Sequence, residues 1–324
     1  MLKLGNIILD VPFFQASLSG YSDYAMRRLA REFGSPLTFS GVMLAKSVPH
    51  PKVLRNPAIR PGDDEHPIGA QLLGEDPAVM AKAAKILEGL GYDIIDLNFA
   101  CPSPKVVRRR RGGFLLNNPK TVIEIYRAVR QSVSCPVLMK LRTGFDSGDM
   151  YRDNFWEIAS QAVEYGVDAL LIHPRTVRQR FTGFADWQVL AEIKKRFPQT
   201  IIVGSGDLFS AETITENLQN TGIDGAVIAR GAVGNPWIFS EMRAVFDKSA
   251  AFVSPTIEQQ GEVILRHYDL VCSLYEQERA IRFFRKFVIG YCKRHPLRKK
   301  VQKALFEAQS PEQFIPAVKQ WYGV

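Results

Sequence analysis

The sequence lacks the features that mark membrane, metal-binding or disulfide-bonded proteins. No apolar run reaches the roughly 18 residues that a membrane helix needs. Its four cysteines are scattered, with no Cys-x-x-Cys pair and no histidine at zinc-ligand spacing. The N-terminal stretch has no long apolar segment of the kind that signal peptides carry. These absences predict a reduced cytoplasmic protein that holds no metal and does not enter a membrane.

Acidic residues are also in deficit. The chain has 33 Asp and Glu against 42 Lys and Arg, which gives a formal net charge of +9. Such an excess favours polyanionic partners over acidic small molecules, although many basic proteins bind no nucleic acid and charge alone does not establish binding to RNA or DNA. The 324 residues are 46% hydrophobic, which is enough to bury the core of one large domain with a smaller one.

Short apolar, β-branched runs alternate with amphipathic stretches between residues 12 and 228, which indicates repeated strand–helix units. Eight such units predict an α/β fold of the (β/α)8 TIM-barrel type. The alternative is a doubly wound open sheet, but residues 204–209 lack the third glycine of a dinucleotide-binding fingerprint. The predicted strands lie near Val11–Phe14, Leu37–Phe39, Ile68–Ala70, Ile94–Leu97, Val137–Met139, Ala169–Ile172, Ile201–Val203 and Gly225–Ile228.

Polar residues follow each predicted strand. In a parallel barrel they would ring the C-terminal mouth, where active sites of this fold are built. In chain order they are Gln15 with Ser17, Ser40, Gln71, Asn98, Lys140, His173, Ser205 with Asp207, and Arg230.

Cys101 stands out within this ring. It follows a buried strand, and Pro102 restricts its backbone to an extended conformation. A free cysteine is usually a small buried hydrophobe. A thiol held at a strand tip beside the other mouth residues is instead a candidate reacting group.

Two glycine-containing loops predict a phosphate site. Residues 204–207 follow the seventh strand and residues 229–237 the eighth, which are the positions where barrels often hold a phosphate. Lys140 and His173 end two neighbouring strands, and together they would place two positive charges at one side of the mouth. That arrangement suits a cofactor whose reduced form is anionic, and Lys140 could alternatively form a Schiff base.

These stretches together resemble the tRNA-dihydrouridine synthases, flavin enzymes that reduce uridine in RNA. The most specific match is the run Asn98–Arg109, which contains Cys101 and reads Asn-Phe-Ala-Cys-Pro-Ser-Pro-Lys-Val-Val-Arg-Arg. The family usually has asparagine where this chain has Ser205. The other matching stretches are Gly69–Leu72, Lys140–Gly144, His173–Thr176, Gly204–Asp207 and Ala229–Trp237.

The resemblance implies FMN at the barrel mouth, NADPH or NADH as reductant, and tRNA rather than DNA as partner. It implies that a hydride passes from FMN N5 to uracil C6, that Cys101 donates a proton to C5, and that Asn98 contacts the uracil. The implied flavin-ring contacts are Leu18, Ser19, Gly20, Gln71, Lys140 and His173. The implied contacts of the ribityl phosphate are Ser205, Gly206, Asp207, Ala229 and Arg230.

The strand pattern stops after Trp237, and the following residues are predicted to form a small helical bundle. We therefore expect a catalytic barrel over residues 1–243 and a helical RNA-binding domain over residues 244–324, in a monomer. Basic residues in two regions are expected to contact the RNA backbone. They are Arg108 and Arg109 within the run 108–111, and Arg282 and Lys286 together with the basic run 293–300.

Three other functions fit some of the same residues. A flavin barrel could reduce a free pyrimidine or another small alkene, although the basic C-terminal segment argues against a small substrate. A Schiff-base aldolase could use Lys140, in which case the purified protein would be colourless. A non-catalytic RNA-binding module would need neither Cys101 nor a phosphate site.

Overall fold

Eight parallel strands form a nearly closed barrel in the computed structural model, which describes residues 1–247 and 251–324. The barrel strands follow one another in the order β3-β11-β10-β9-β8-β7-β6-β4, and the Gln15 amide of β3 donates to the Leu37 carbonyl just before β4 across the remaining gap at 3.2 Å. The eight strands confirm the predicted (β/α)8 fold. The strands are β1 (Leu2–Leu4), β2 (Ile7–Leu9), β3 (Phe13–Gln15), β4 (Thr38–Phe39), β5 (Met43–Leu44), β6 (Ile68–Leu73), β7 (Ile94–Asn98), β8 (Val137–Arg142), β9 (Ala169–His173), β10 (Ile202–Gly204) and β11 (Gly225–Ile228).

Helices cover the outside of the barrel and form the C-terminal segment. Two of them begin after a cap residue that is followed by proline, and these caps, Asp76 and Asn118, accept hydrogen bonds from the first-turn amides of Val79 and Thr121. The helices are α1 (Tyr24–Glu32), α2 (Pro51–Leu54), α3 (Pro77–Gly89), α4 (Pro104–Val107), α5 (Pro119–Ser132), α6 (Asp149–Glu164), α7 (Gln188–Arg196), α8 (Ala211–Thr221), α9 (Trp237–Phe246), α10 (Ile257–Leu274), α11 (Gln277–Tyr291), α12 (Arg298–Glu307) and α13 (Pro311–Tyr322), with short 3-10 turns at Ala45–Ser47, Gly112–Asn117, Arg230–Ala232 and Cys292–Arg294.

An N-terminal hairpin that the sequence interpretation missed closes one end of the barrel. Strands β1 and β2 pair in antiparallel fashion, and Leu2, Leu4 and Leu9 are buried against the apolar side chains inside the barrel. Because the hairpin covers the end where the strands begin, the carboxyl ends of the strands carry the candidate site.

The last four helices pack as a bundle around aromatic side chains. Ile264 and Val271 of α10 and Phe284 of α11 are buried in its core. Residues 310–313 have the residue types of a capping box, but the Ser310 side chain caps no amide; a capping box forms between Thr256 and Gln259 instead. Helix α9 runs through the predicted domain boundary at 243/244, and residues 248–250 of the predicted helical segment lie outside the described residues.

No helix in the two described ranges is long and apolar enough to cross a membrane.

His267 makes the fold sensitive to acid. Its imidazole is buried in the bundle, with Nδ1 2.7 Å from the Tyr291 hydroxyl, and this burial lowers the pKa of His267 to about 3. The unfolded chain takes up this proton near pH 6.5, the ordinary pKa of histidine, whereas the folded chain does so only near pH 3. The free energy of unfolding therefore falls as the pH falls through this window, by up to about 1.4 kcal/mol per pH unit for this group.

We expect His267→Gln, which keeps a partner for Tyr291, to flatten this pH dependence in urea unfolding. His50→Gln, a change at an exposed histidine, serves as the control and should leave the dependence unchanged. Equal pH slopes for the wild type and His267→Gln would contradict the assignment.

Candidate active site

A cavity of about 510 Å³ opens at the carboxyl ends of the barrel strands. Most of the predicted cofactor residues line it, whereas Gly20 lies at its edge and Gln71 is buried within β6. Lys140 lies inside β8 and not just after that strand, since β8 continues to Arg142. The predicted residues that line the cavity are Leu18, Ser19, Lys140, His173, Ser205, Gly206, Asp207, Ala229 and Arg230.

Three buried polar side chains on β6 and β7 form a hydrogen-bonded row. The Asn98 Nδ2 donates to Gln71 Oε1 at 2.6 Å, and Gln71 Nε2 donates to Asp96 Oδ2 at 2.5 Å. Asn98 Oδ1 accepts from the amides of Ala100 and Cys101 at 3.1 and 3.0 Å. The row therefore fixes the Cys101 backbone relative to the barrel, and Asn98, predicted to contact substrate, also positions the cysteine.

Lys140 completes a polar connection across the mouth. Its Nζ donates to Ser205 Oγ, in the loop after β10, at 2.7 Å. Burial lowers the pKa of Lys140 and raises that of Asp96, while the attraction between the two partly offsets each shift. The serine that replaces the family's usual asparagine is therefore the hydrogen-bond partner of this lysine.

His173 adds no positive charge to the mouth, which corrects the sequence interpretation. Burial, together with the nearby cations, lowers the pKa of His173 to about 2, so the imidazole is neutral. Arg175 Nη1 lies 3.2 Å from His173 Nε2, which makes that nitrogen the acceptor and leaves the proton on Nδ1. The cations around this imidazole are Lys140, Arg142, Arg175 and Arg230.

Arg175 organises the loop that was predicted to hold a phosphate. It is 2% exposed, and its guanidinium makes a two-point contact to Asp207, with Nη1–Oδ1 at 3.1 Å and Nη2–Oδ2 at 2.6 Å. It also donates to the carbonyls of Thr182 and Gly183 at 3.2 and 2.5 Å. Burial alone would raise the pKa of Asp207, but the hydrogen bonds from Arg175 and the Ala185 amide lower it. The sequence did not predict a role for Arg175, because the role of a buried arginine depends on the partners that the fold brings to it.

The two glycine-containing loops present free backbone donors to the cavity. Within residues 1–247 and 251–324, the amides of Gly206, Asp207, Arg230 and Gly231 donate to no protein acceptor. Gly206 has a φ of +116°, and a Cβ there would lie 2.9 Å from the Ala185 Cβ, so the close approach requires glycine. Unpaired amides beside a guanidinium form the donor set that binds a phosphate.

Cys101 lies in the loop after β7, where its side chain is half-buried. Burial raises the pKa of the Cys101 thiol, although a backbone hydrogen bond from Ser103 and the charge of Arg142 act in the opposite direction. Arg142 is also 2% exposed, and its Nε donates to the Ala100 carbonyl at 3.0 Å. The thiol is therefore protonated at neutral pH and lies near a fixed positive charge.

The predicted basic residues divide into exposed and structural ones. Arg108, Arg109 and Arg282 are exposed. Arg111 turns inward, because it forms an ion pair with Glu75. In the later basic run, Arg294 pairs with Glu241, and the buried His295 contacts the Trp321 carbonyl at 3.0 Å.

Helix α11 contributes directly to the cavity, which the sequence did not predict. Lys286 of this helix and Lys293 of the 3-10 turn that follows it line the cavity, and Lys286 Nζ donates to the Gly20 carbonyl. Burial lowers the pKa of Lys286 to about 8. Lys286, predicted to contact RNA, thus connects the helical bundle to the loop after β3.

No group of three or more His, Cys, Asp or Glu that could hold a metal ion occurs in the part of the chain that the structure describes.

Comparison with known families identifies the chain. The family model described as dihydrouridine synthase matches residues 14–321. A tRNA-dihydrouridine synthase B from Pasteurella multocida is 35% identical over 294 residues, covering 90% of this chain and 86% of that protein. A probable tRNA-dihydrouridine synthase from Rickettsia conorii is 32% identical over 293 residues, covering 90% of this chain and 87% of the other.

Two solved structures share the barrel fold of this chain. Histamine dehydrogenase from Rhizobium sp. 4-9 superimposes with a TM-score of 0.57 at 15% identity, over 83% of this chain. A 2-naphthoyl-CoA reductase does so with a TM-score of 0.61 at 13% identity, over 76% of this chain. This chain spans about half the length of each. The barrel architecture and the match along almost the whole sequence lead to one assignment: the chain belongs to the dihydrouridine synthase family.

Proposed function

We propose that this protein reduces uridine to 5,6-dihydrouridine in tRNA, with FMN as cofactor and NADPH or NADH as reductant. The observation that carries the proposal is the mouth cavity, which has unpaired amides beside Arg230 on one side and Lys140, bonded to Ser205, with His173 on the other. Family membership supplies the reaction class.

The residues present fit a flavin mononucleotide. The amides of Gly206, Asp207, Arg230 and Gly231 would hold the ribityl phosphate, and the Arg230 guanidinium would add its charge. Lys140, the neutral His173 and Gln71 would contact the heteroatoms of the ring, and residues 18–20 would lie along its edge. When bound and reduced, the flavin supplies a hydride to C6 of uracil.

The protein's own part is to hold the substrate and to deliver a proton. Cys101 donates its proton to C5, and because burial keeps the thiol protonated at neutral pH it is ready to do so. The resulting thiolate is stabilised by the charge of Arg142 and takes up a proton from solvent. Asn98 retains a second Nδ2 proton for the uracil while its other contacts hold the cysteine loop in place.

The target base must leave its stack to reach this cavity, so the enzyme must also hold the surrounding RNA. We propose that Arg108, Arg109 and Arg282 contact phosphates, and that Lys286 contacts the inserted nucleotide from the cavity wall. The barrel and the helical segment 244–324 would then act as catalytic and RNA-binding domains of a cytoplasmic monomer.

Replacing Arg282 and Lys299 by alanine is expected to weaken tRNA binding and to reduce the slope of log K against log salt by about 1 to 2. Both side chains are exposed, so the fold should persist. Lys286 is left intact because it contacts Gly20. Filter binding over a salt series measures the slope, and a Lys82→Ala/Lys85→Ala variant on the outer face of α3 is the control. An unchanged slope would show that the RNA does not contact Arg282 or Lys299.

A test of the whole proposal compares substrates. The purified protein should be yellow, and it should oxidise NADPH faster with tRNA than with free uridine. Equal turnover with free uridine would favour reduction of a small pyrimidine. A colourless protein that borohydride crosslinks to a carbonyl compound would favour the aldolase that uses Lys140.

A further inference from the structure

A second cavity, of about 460 Å³, lies beside the loop that carries Cys101. One wall comes from the residues just after the cysteine, and the other comes from the segment 177–182 after β9. The apolar lining consists of Pro102, Pro104, Val107, Phe145 and Val177. The polar lining consists of Arg108, Arg178, Gln179, Arg180 and Thr182.

Segment 177–182 separates this cavity from the mouth cavity. Phe181 faces the mouth cavity, where the Arg230 guanidinium lies 4.5 Å from its ring centroid, while its neighbours Arg180 and Thr182 line the second cavity. The two cavities are therefore adjacent, and Pro102, the residue after Cys101, lines the second one.

Arg142 holds the two walls at a fixed distance. Its Nε donates to the Ala100 carbonyl on the cysteine side, and its Nη1 donates to the carbonyls of Thr176 and Arg180 on the other side at 2.7 and 2.8 Å. The cavity is thus formed by the same buried side chain that places a charge near the thiol.

Backbone strain is concentrated at the same loops. Of the described residues, three that are not glycine have a positive φ: Arg110 at 54°, Arg180 at 50° and Asp207 at 56°. All three lie in loops at the barrel mouth, and Arg110 and Arg180 belong to the two loops that line the second cavity. Strain of this kind is retained where a functional site requires the conformation.

The chemistry of the lining favours a nucleotide. No carboxylate lines the cavity, and among the described residues neither Arg108 nor Arg180 has an ion-pair partner, while Arg178 pairs with Asp146 at 2.7 Å. Guanidinium groups around an apolar floor match a phosphate attached to a base. We propose that this second cavity holds the nucleotide next to the reduced uridine in the same RNA strand, with its base on Val107 and Phe145 and its phosphate near Arg108 and Arg180.

This inference rests on the proposed function, because a neighbouring nucleotide exists only if the substrate is RNA. It goes beyond that function by stating that the enzyme reads an unstacked base adjacent to its target. The test therefore combines changes in the protein with the removal of single bases from the RNA.

The proposed experiment measures KM and kcat for tRNA transcripts that are intact or carry an abasic site immediately 5′ or 3′ of the target uridine. With the wild type, removal of the base on one side should raise KM about tenfold, the effect of one base contact of ordinary strength. With Val107→Asp or Arg180→Ala, KM for the intact RNA should already be raised, and removal of that base should add little. Arg196→Ala, which removes an exposed arginine stacked on Trp156 at the far end of α7, is the matched control.

The outcomes separate the two proposals. Reduction of flavin by NADPH without RNA should be unchanged in both variants; if it is slowed to the same extent as turnover, the cavity binds the nicotinamide nucleotide and the inference is wrong. If the wild type makes dihydrouridine but KM responds neither to the variants nor to the abasic sites, the inference is also wrong while the proposed function stands. If the wild type makes no dihydrouridine in RNA, the proposed function itself fails.

Discussion

Replacing Cys101 by alanine is expected to lower the rate of dihydrouridine formation by about 10²- to 10⁴-fold, the usual contribution of a positioned general acid. The protein should remain folded, because the side chain is half-buried and its removal deletes only one sulfur atom. The amides and guanidinium of the phosphate site lie in other loops, so the variant should still bind flavin and still reduce it with NADPH. The loss should therefore appear only in the half-reaction that consumes RNA.

Rapid mixing separates the two half-reactions. The bleaching of the flavin absorbance by NADPH should occur at the wild-type rate in Cys101→Ala, and its return upon addition of tRNA should be slow. Cys135→Ala provides a matched control, because Cys135 is also half-buried but lies just before β8, at the opposite end of that strand from the mouth. Wild-type product formation by Cys101→Ala would show that the proton comes from another group.

Replacing Arg175 by methionine is expected to release the flavin and to destabilise the fold by about 3 kcal/mol. The guanidinium is buried, and its removal leaves Asp207 without its two-point partner and the carbonyls of Thr182 and Gly183 without donors. Asp207 thereby loses the contact with Arg175 that holds its positive-φ conformation. The neighbouring amides then no longer point towards a common phosphate position. Arg175→Lys should retain part of the stability but not the two-point contact.

Two measurements check this prediction. The ratio of flavin absorbance to protein gives the loss of cofactor, and the urea midpoint gives the loss of stability. Arg130→Met removes a comparable ion pair, to Asp168 at 3.2 Å, at the end of the barrel where the strands begin. It should lower stability without releasing flavin, and full flavin content in Arg175→Met would refute the role assigned to that side chain.

The barrel itself was predictable because its strands are short apolar runs that are buried on both faces. Such runs stand out between amphipathic helices whose starts are marked by Asp76-Pro77 and Asn118-Pro119. The N-terminal hairpin was missed, although Gly5 has the positive φ of a tight turn and leucines flank it at alternate positions. Each of its strands has only three residues, and its partners inside the barrel come from the whole chain.

The placement of side chains at the barrel mouth was predicted best where one strand delivers one side chain, as with Lys140 and His173. It was predicted least where partners are distant in sequence. Arg142 and Arg175 take their roles from carbonyls and a carboxylate on other loops. The same applies to Arg111, whose partner Glu75 lies 36 residues away. A run of arginines does not show by itself which member turns inward.

The predicted positive charge of His173 was wrong for a related reason. Histidine near neutral pH responds to every charge around it, and three arginines with Lys140 surround this ring. Only the folded structure places those cations together, so the neutral imidazole could not be deduced from the strand on which it lies.

The most direct test is mass-spectrometric mapping of RNA after reaction with the purified protein. A tRNA transcript without modifications, incubated with the enzyme and NADPH, should gain the mass of one hydrogen molecule at a single uridine, and Cys101→Ala should not produce this change. A transcript that remains unaltered in the presence of a yellow, NADPH-reducible enzyme, tested against the full set of tRNAs from the same cell, would contradict the account.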